Sequence, residues 1–231
     1  MKDKNKFAGH TSSQTIKDIY LASLGDDYGE FILGKNTTKI FYEDPKLLLF
    51  VLSRHKFVSK MFSGYNNVLE IGCQEGFGSF IVSQTVMNLH SIDFYIPYID
   101  SCRKRIKSSN IKFEEHDILD NSVPGQFDGA FALDVLEHIE KNDEDTFMQN
   151  IISSLSDSGT LILGMPNLDS QKYASDASRI GHVNCKTGDE FAKFGKKYFK
   201  NVFSFSMNDE VLHTGFFPMS QYIFILCCTK L

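Results

Sequence analysis

The sequence predicts an α/β protein, a doubly wound and mostly parallel seven-stranded sheet with an antiparallel last strand, preceded by an N-terminal helical cap. From about residue 67 onward, short apolar runs alternate with amphipathic stretches, which is typical of a parallel sheet wrapped by helices. The apolar runs are continuous, as in strands that are covered on both faces. The last two runs have no helix between them, so they should pair antiparallel.

The individual elements follow from these patterns. Strands are predicted at Asn67–Gly72, Leu89–Asp93, Ile111–Asp117, Phe127–Val135, Gly159–Pro166, Asn201–Met207 and Gln221–Cys228. Helices are predicted at Phe77–Met87, Ile96–Lys107, Glu144–Leu155 and Thr187–Lys197.

The residues before the first strand read differently. The runs "TIKDIYLASLG" and "DPKLLLFVLSRHKFVSKMFSG" both predict amphipathic helices, the second with Asp44 as N-cap and Pro45 at the first helical position. We therefore expect residues 1–64 to form a helical cap segment and residues 65–231 to form the main domain.

Composition narrows the class of protein. Hydrophobic residues make up 42% and charged residues 23% of 231 residues, which predicts an ordinary globular domain. The formal net charge of -5 gives no basic field, so neither a nucleic acid nor a membrane surface is expected as a partner. Five cysteines without CxxC spacing, and an N-terminus without the apolar core of a signal peptide, favour a reducing cytoplasm. The oligomeric state is left open.

The stretch "VLEIGCQEGFGS" ends the first strand in a glycine-rich turn. A dinucleotide fingerprint needs a second glycine two residues after the first, but Gln74 stands there. No Gly-Lys-Ser/Thr follows, so a P-loop is excluded. What remains is Glu70, Gly72, Gly76 and Gly78 in an E-x-G-x-x-x-G-x-G pattern.

Two acids follow the next two strands. Asp93 lies about 20 residues past the turn, where a carboxylate can accept hydrogen bonds from both hydroxyls of a ribose. Asp117 ends the third strand in "EEHDILD", in position to meet an adenine amino group. An acid at the position of Asp117 is unusual for a nicotinamide dehydrogenase.

Together these segments resemble class I S-adenosylmethionine-dependent methyltransferases, which have a Rossmann-like fold. "VLEIGCQEG" is similar to their first motif, "SIDF" to their ribose-binding acid, "HDIL" to their adenine site and "FALDVLEHI" to their fourth-strand motif, while "QYIFILCC" resembles their reversed last strand. Gln74 departs from the family, which usually has glycine at that position. The resemblance implies S-adenosylmethionine as cofactor and assigns its binding to Glu70, Gly72, Cys73, Gly76, Asp93, Phe94, Asp117, Ile118, Asp134 and Val135. Arg54 joins them because a guanidinium can bind the carboxylate of the cofactor, and the alternative for this residue is an arginine on an exposed helix face without a ligand.

A cluster for the methyl acceptor is predicted after the fourth strand. Asp134, Glu137 and His138 fall at the carboxyl edge of the sheet, where ligands bind, and His182 follows the fifth strand. The pattern resembles small-RNA 2'-O-methyltransferases, in which such residues hold magnesium, and ubiquinone-pathway O-methyltransferases. Three alternatives stay open: a divalent cation such as Mg, a metal-free base or substrate contact with Glu137, His138 and His182 as catalytic residues, or a structural role.

The acceptor is expected to be a small molecule or a sugar, methylated at a hydroxyl. Aromatic residues of the cap and of the loops after residue 166 suggest a partly apolar acceptor pocket; these are Tyr28, Phe41, Tyr42, Tyr173, Phe216 and Phe217. Two other functions compete with this one. The first is a catalytically silent cofactor-binding partner subunit, suggested by Gln74, and the second is a nicotinamide oxidoreductase, which the missing glycine and Asp117 disfavour.

Overall fold

The computed structural model describes residues 13–24 and 30–231 of the chain. The chain divides into two compact units, residues 1–32 and residues 33–231. In the first unit the described part contains one helix, α1 (Ser13–Leu24). Among the described helices, none is long and apolar enough to cross a membrane.

The second unit contains all the remaining elements. Its helices are α2 (Lys35–Glu43), α3 (Pro45–Met61), α4 (Phe77–Ser83), α5 (Ile96–Arg105), α6 (Glu144–Ser154), α7 (Asp176–Gly181) and α8 (Gly188–Gly195). Its strands are β1 (Asn67–Ile71), β2 (Asn88–Asp93), β3 (Ile111–Glu115), β4 (Phe127–Leu133), β5 (Leu155–Pro166), β6 (Phe199–Asn208), β7 (Val211–His213) and β8 (Tyr222–Lys230). Short 3-10 turns lie at Leu136–His138, Lys141–Asp143, Leu168–Tyr173 and Phe217–Met219.

The strands form one mixed sheet in the order β3-β2-β1-β4-β5-β8-β6-β7. Strands β1 to β5 pair in parallel, and β8 runs antiparallel between β5 and β6. The α/β class and the antiparallel last strand are therefore confirmed. The described sheet has eight strands instead of seven, because β6 is followed by the short antiparallel strand β7.

Alternate residues of the central strands feed two cores, one on each face of the sheet. On one face Ala130 and Ala132 pack with α6 and α8, and on the other Phe131 and Leu133 pack with α3 and α4. This division is what a strand periodicity of two requires, and burial on both faces explains the continuous apolar runs of the sequence.

The compact unit begins earlier than the predicted domain boundary at residue 65. Helix α3 starts where expected, since the Asp44 carboxylate accepts the Lys46 N–H at 3.2 Å and Pro45 occupies the first turn. Its buried Phe57, Val58 and Phe62 then pack against the sheet. This packing joins α3 to the unit that carries the sheet.

Candidate active site

The glycine turn after β1 adopts the backbone that its sequence suggests. Gly72 and Gly76 have φ values of 76° and 71°, and Gln74 between them has φ 48°. The left-handed region costs a residue with a side chain about 1–2 kcal/mol. This explains why a glycine usually stands at the position of Gln74 in the family that the sequence resembles. The Gln74 side chain is exposed, so the strain lies in the backbone.

Asp93, at the end of β2, holds this turn in place. Its carboxylate accepts the backbone N–H of Gln74 at 2.9 Å and that of Tyr95 at 2.9 Å. Burial raises the pKa of Asp93, and the two N–H bonds oppose that rise. Each carboxylate oxygen can accept a second hydrogen bond, so two ribose hydroxyls can still be bound.

A cavity of about 610 Å³ lies over the carboxyl ends of β1 to β4. Its size suits a nucleoside-sized ligand. Seven of the predicted cofactor residues line it: Gly72, Asp93, Phe94, Asp117, Ile118, Asp134 and Val135. Asp117 is fixed there by the Leu119 N–H, 2.9 Å from its Oδ1. The spacing of the motifs therefore brought these residues to one surface.

The other four predicted cofactor residues lie elsewhere. Glu70 lines neither this cavity nor the smaller one beside it. Its buried carboxyl accepts the Ser91 hydroxyl at 2.5 Å, and its Oε1 lies 3.8 Å from Nε2 of His55. Burial raises the pKa of Glu70 to about 7. Cys73, Gly76 and Arg54 line the smaller cavity.

That smaller cavity, of about 460 Å³, adjoins the first. Both are lined by Gly72, Gln74, Asp134 and His138, so these residues form a common rim. We call the larger cavity the cofactor cavity and the smaller one the acceptor cavity, after the roles that are proposed for them below. Helices α2 and α3 give the acceptor cavity an apolar wall of Ile40, Leu47, Leu48 and Val51.

The sequence predicts that Arg54 binds the carboxylate of a ligand, but in this structure its guanidinium already has a partner within the protein. Its Nη1 donates to both carboxylate oxygens of Asp134 at 2.8 Å, and its guanidinium lies 3.8 Å over the ring of Tyr222. Asp134 has φ 57°, a strained conformation that this ion pair helps to hold. The expected contact of Arg54 with the cofactor carboxylate stays a prediction, and in this structure the guanidinium pairs with Asp134.

Glu137, His138 and His182 come together at the acceptor cavity. One potential ligand atom from each lies within 4.8 Å of the others, and the two imidazole centres are 5.1 Å apart. Asp134 was predicted to join them, but it is paired with Arg54. The two histidines therefore meet although 44 positions separate them in sequence, because the loop after β5 returns to the end of β4.

Both imidazoles are oriented by carbonyl oxygens. Nδ1 of His138 lies 2.8 Å from the Gly181 carbonyl, and Nδ1 of His182 lies 2.8 Å from Oε1 of Gln171. Since these oxygens can only accept, Nδ1 carries the proton in both rings and Nε2 keeps its lone pair in the neutral form. Burial and then the neighbouring His138 lower the pKa of His182, which favours the neutral form.

Glu137 is fully buried, and within residues 30–231 neither of its carboxylate oxygens has a hydrogen-bond partner. Burial, together with the charge of Asp134, raises the pKa of Glu137 well above its ordinary value. A buried carboxyl without a partner costs free energy, and such groups are concentrated at functional sites. The acceptor cavity therefore places a buried carboxyl beside two imidazoles.

Within the described part of the chain, the aromatic residues predicted to surround the acceptor do not line the acceptor cavity. Tyr42, Tyr173 and Phe216 have exposed fractions of 82%, 81% and 69%, and none of them lines it. Phe216 and Phe217 border a separate groove instead. Tyr28 lies outside the described residues.

His55, Gln171 and the wall that α2 contributes were not predicted from the sequence. His55 packs against Gly78 of α4, where an added Cβ would lie 2.1 Å from its Nε2. Its position next to Arg54 on one helix was the only signal. Gln171 lies in the 3-10 turn Leu168–Tyr173, whose local sequence does not indicate that its side chain contacts His182.

Residues 68–159 match the family described as a methyltransferase domain. This segment, which runs from β1 into β5, is therefore similar to a methyltransferase domain. The search of curated proteins found no match.

Solved methyltransferase structures share its fold at low sequence identity. The N-methyltransferase NodS from Bradyrhizobium japonicum WM9 is 19% identical with a TM-score of 0.60, covering 82% of this chain and 99% of NodS. The methyltransferase domain of bacterial CtHen1-C is 15% identical with a TM-score of 0.65, covering 78% of this chain and 98% of that one. The plantazolicin methyltransferase BpumL, in complex with a triazolic desmethylPZN analogue and S-adenosylhomocysteine, is 14% identical with a TM-score of 0.61, covering 85% of this chain and 90% of that one.

Proposed function

We propose that this methyltransferase domain methylates a hydroxyl group of a small-molecule or carbohydrate acceptor. The observation that carries the proposal is the position of Glu137, His138 and His182, which face a cavity that shares its rim with the cofactor cavity. A hydroxyl is a weak nucleophile, so its methylation needs a base or a metal, and this cluster offers either.

The cofactor cavity fits S-adenosylmethionine by its volume and by its acids. Asp93 would bind the ribose hydroxyls and Asp117 the adenine amino group, with Phe94, Ile118 and Val135 around the base. The sulfonium supplies the methyl group, and the products are a methyl ether and S-adenosylhomocysteine.

The chain's own contribution is to position the acceptor and to take its proton. Nε2 of His182 would accept the hydroxyl proton as the oxygen–carbon bond forms, since the lowered pKa keeps this ring neutral at pH 7. Gln171 holds the ring in the tautomer that leaves Nε2 free. Glu137, in its protonated form, would donate to an oxygen of the acceptor.

A divalent cation is the alternative use of the same three groups. One carboxylate and two imidazole Nε2 atoms form a plausible donor set, and the carbonyl partners on both Nδ1 atoms are the support that metal-binding histidines usually have. Glu137 would then be ionised, and the ion would lower the pKa of the acceptor hydroxyl. The Arg54–Asp134 pair leaves no fourth protein ligand from Asp134.

The experiment measures S-adenosylhomocysteine formation over a panel of hydroxylated small molecules, sugars and primary amines. With a turned-over hydroxyl acceptor, His182→Ala should reduce kcat about 100-fold or more while the Kd for S-adenosylhomocysteine stays within about twofold. His213→Ala is the matched control, since His213 contacts Ser206 on the outer strands. Turnover of amines alone would refute hydroxyl methylation.

EDTA treatment separates the two mechanisms. Loss of activity that Mg²⁺ restores would assign the cluster to a metal, whereas unchanged activity would assign it to base catalysis. The absence of a nucleic-acid partner and a cytoplasmic location stay predictions from composition.

A further inference from the structure

Glu75, in the glycine turn, caps the N-terminus of α2, whose capped residues lie 38 and 39 positions earlier in the sequence. Its Oε1 accepts the N–H of Asn36 at 2.9 Å, and its Oε2 accepts both the N–H and the hydroxyl of Thr37 at 2.8 and 2.9 Å. Asn36 and Thr37 are the second and third residues of α2, whose N–H groups have no partner within the helix. Glu75 itself is buried, with an exposed fraction of 3%.

The N-cap residue of α2 has no side chain with which to do this. Gly34 occupies that position in extended conformation, with φ -66°, so the backbone does not require glycine there. A Cβ added to Gly34 would lie 2.2 Å from the carboxyl carbon of Glu75. The carboxylate of Glu75 therefore fills the place that the side chain of a serine or aspartate N-cap would take.

The other end of this contact is the cofactor turn. Glu75 follows Gln74, whose N–H is held by Asp93, and the carbonyl of Glu75 accepts from Nη2 of Arg105 at 2.7 Å. The backbone around Glu75 is therefore held by Asp93 and by Arg105 of α5, whereas the side chain of Glu75 contacts α2, which lines the acceptor cavity.

Helix α2 forms part of the wall of the acceptor cavity through Asn36, Thr37 and Ile40. It leads directly into α3, with Asp44 as the one residue between them. A shift of the glycine turn would thus move the N-terminus of α2, and with it the wall against which an acceptor binds.

We propose that Glu75 is a positioning residue that couples cofactor binding to closure of the acceptor cavity. When the cofactor orders the glycine turn, the cap on α2 is stabilised. Conversely, an ordered α2 stabilises the conformation of the glycine turn that binds the cofactor. The inference rests on cofactor binding at this site, although not on the nature of the acceptor.

The test uses S-adenosylhomocysteine as the probe and hydrogen exchange of α2 as the readout. In the wild-type protein the ligand should slow amide exchange in α2 at least threefold. In Glu75→Ala this dependence should disappear, and the Kd for S-adenosylhomocysteine should rise by the same factor, because coupling is reciprocal. Glu75→Gln keeps one acceptor oxygen and should show an intermediate effect if the alanine variant does not fold.

A second substitution separates coupling from simple helix capping. Gly34→Asp in the Glu75→Ala background gives α2 an N-cap of its own that has no link to the turn. This double variant should recover slow exchange in α2 but should remain insensitive to the ligand. If ligand dependence returns with Gly34→Asp, Glu75 is only a cap and the proposal is wrong.

The matched control is Glu190→Ala, which removes a glutamate that caps α8 within its own first turn. It should speed exchange in α8 and leave the ligand response of α2 intact. Wild-type protein that binds the ligand without slower exchange in α2 would overturn the coupling alone. Wild-type protein that does not bind the ligand would instead refute the cofactor site.

Discussion

Replacing Asp93 by asparagine tests the link between the glycine turn and the ribose. The carboxylate already accepts two backbone N–H groups, and ribose binding adds two hydroxyl donors to the same oxygens. Asparagine keeps the shape of the side chain and one acceptor oxygen. Its NH2 group replaces the other oxygen, and this donor would face either a backbone N–H or a ribose hydroxyl, to which it cannot act as an acceptor. A hydrogen bond to a charged group is worth about 1.5–3 kcal/mol.

The expected magnitude follows from that figure. Loss of one charge-assisted bond to the ligand should weaken binding about tenfold to one hundredfold, since 1.4 kcal/mol corresponds to a factor of ten. Asp93→Ala should bind at least tenfold more weakly as well. Calorimetric titration with S-adenosylhomocysteine measures this directly, and urea unfolding of the same samples reports the loss of the two backbone contacts.

Asp128 provides the control for a general effect on stability. Its Oδ2 also accepts two backbone N–H groups, from Asn66 at 3.1 Å and Asn67 at 3.0 Å, at the opposite edge of the sheet. Asp128→Asn should leave the Kd for S-adenosylhomocysteine unchanged. Wild-type affinity in Asp93→Asn would refute the assignment of Asp93 to the ribose.

Gln74→Gly should raise the free energy of unfolding by about 1 kcal/mol, because glycine adopts φ 48° without strain, and urea unfolding would measure it; an unchanged or lower stability would contradict this account of the turn. Glu70→Gln tests the buried carboxyl behind the turn, whose folded-state pKa is raised to about 7 from an ordinary 4.5. The folded protein then binds more protons than the unfolded chain between pH 4.5 and about 7, so the wild type should lose stability as the pH rises through this window, and the loss is complete above it. Urea unfolding at pH 5 and pH 8 measures how much the free energy of unfolding falls between the two pH values. This fall should be smaller in Glu70→Gln than in the wild type, by roughly 3 kcal/mol at most. Equal falls in the two proteins would show that Glu70 does not contribute.

The sequence predicted the sheet well because its signals are local. The central strands are mainly apolar, Asp93 is the last residue of β2 and Asp117 follows the end of β3 by two residues, so their convergence follows from parallel pairing. The antiparallel pairing of β6 with β8 was likewise implied by the missing crossover helix, whereas the position of β8 next to β5 was not.

What sequence reasoning missed depends on contacts between distant segments. Helix α2 was not predicted because "KNTTKIFYE" has few strong helix formers and its cap is the side chain of Glu75. Arg54 was expected to face a ligand, but the partner that occupies it, Asp134, lies 80 positions away. Neither the cap of Glu75 on α2 nor the pair of Arg54 with Asp134 can be predicted from the local sequence pattern.

A crystal structure with S-adenosylhomocysteine bound tests the central claim most directly. We expect the adenosine in the cofactor cavity, with its ribose on Asp93, and the sulfur at the rim formed by Gly72, Asp134 and His138, facing Glu137 and His182 across the acceptor cavity. A ligand whose sulfur points away from this cluster, or whose ribose does not contact Asp93, would contradict the account.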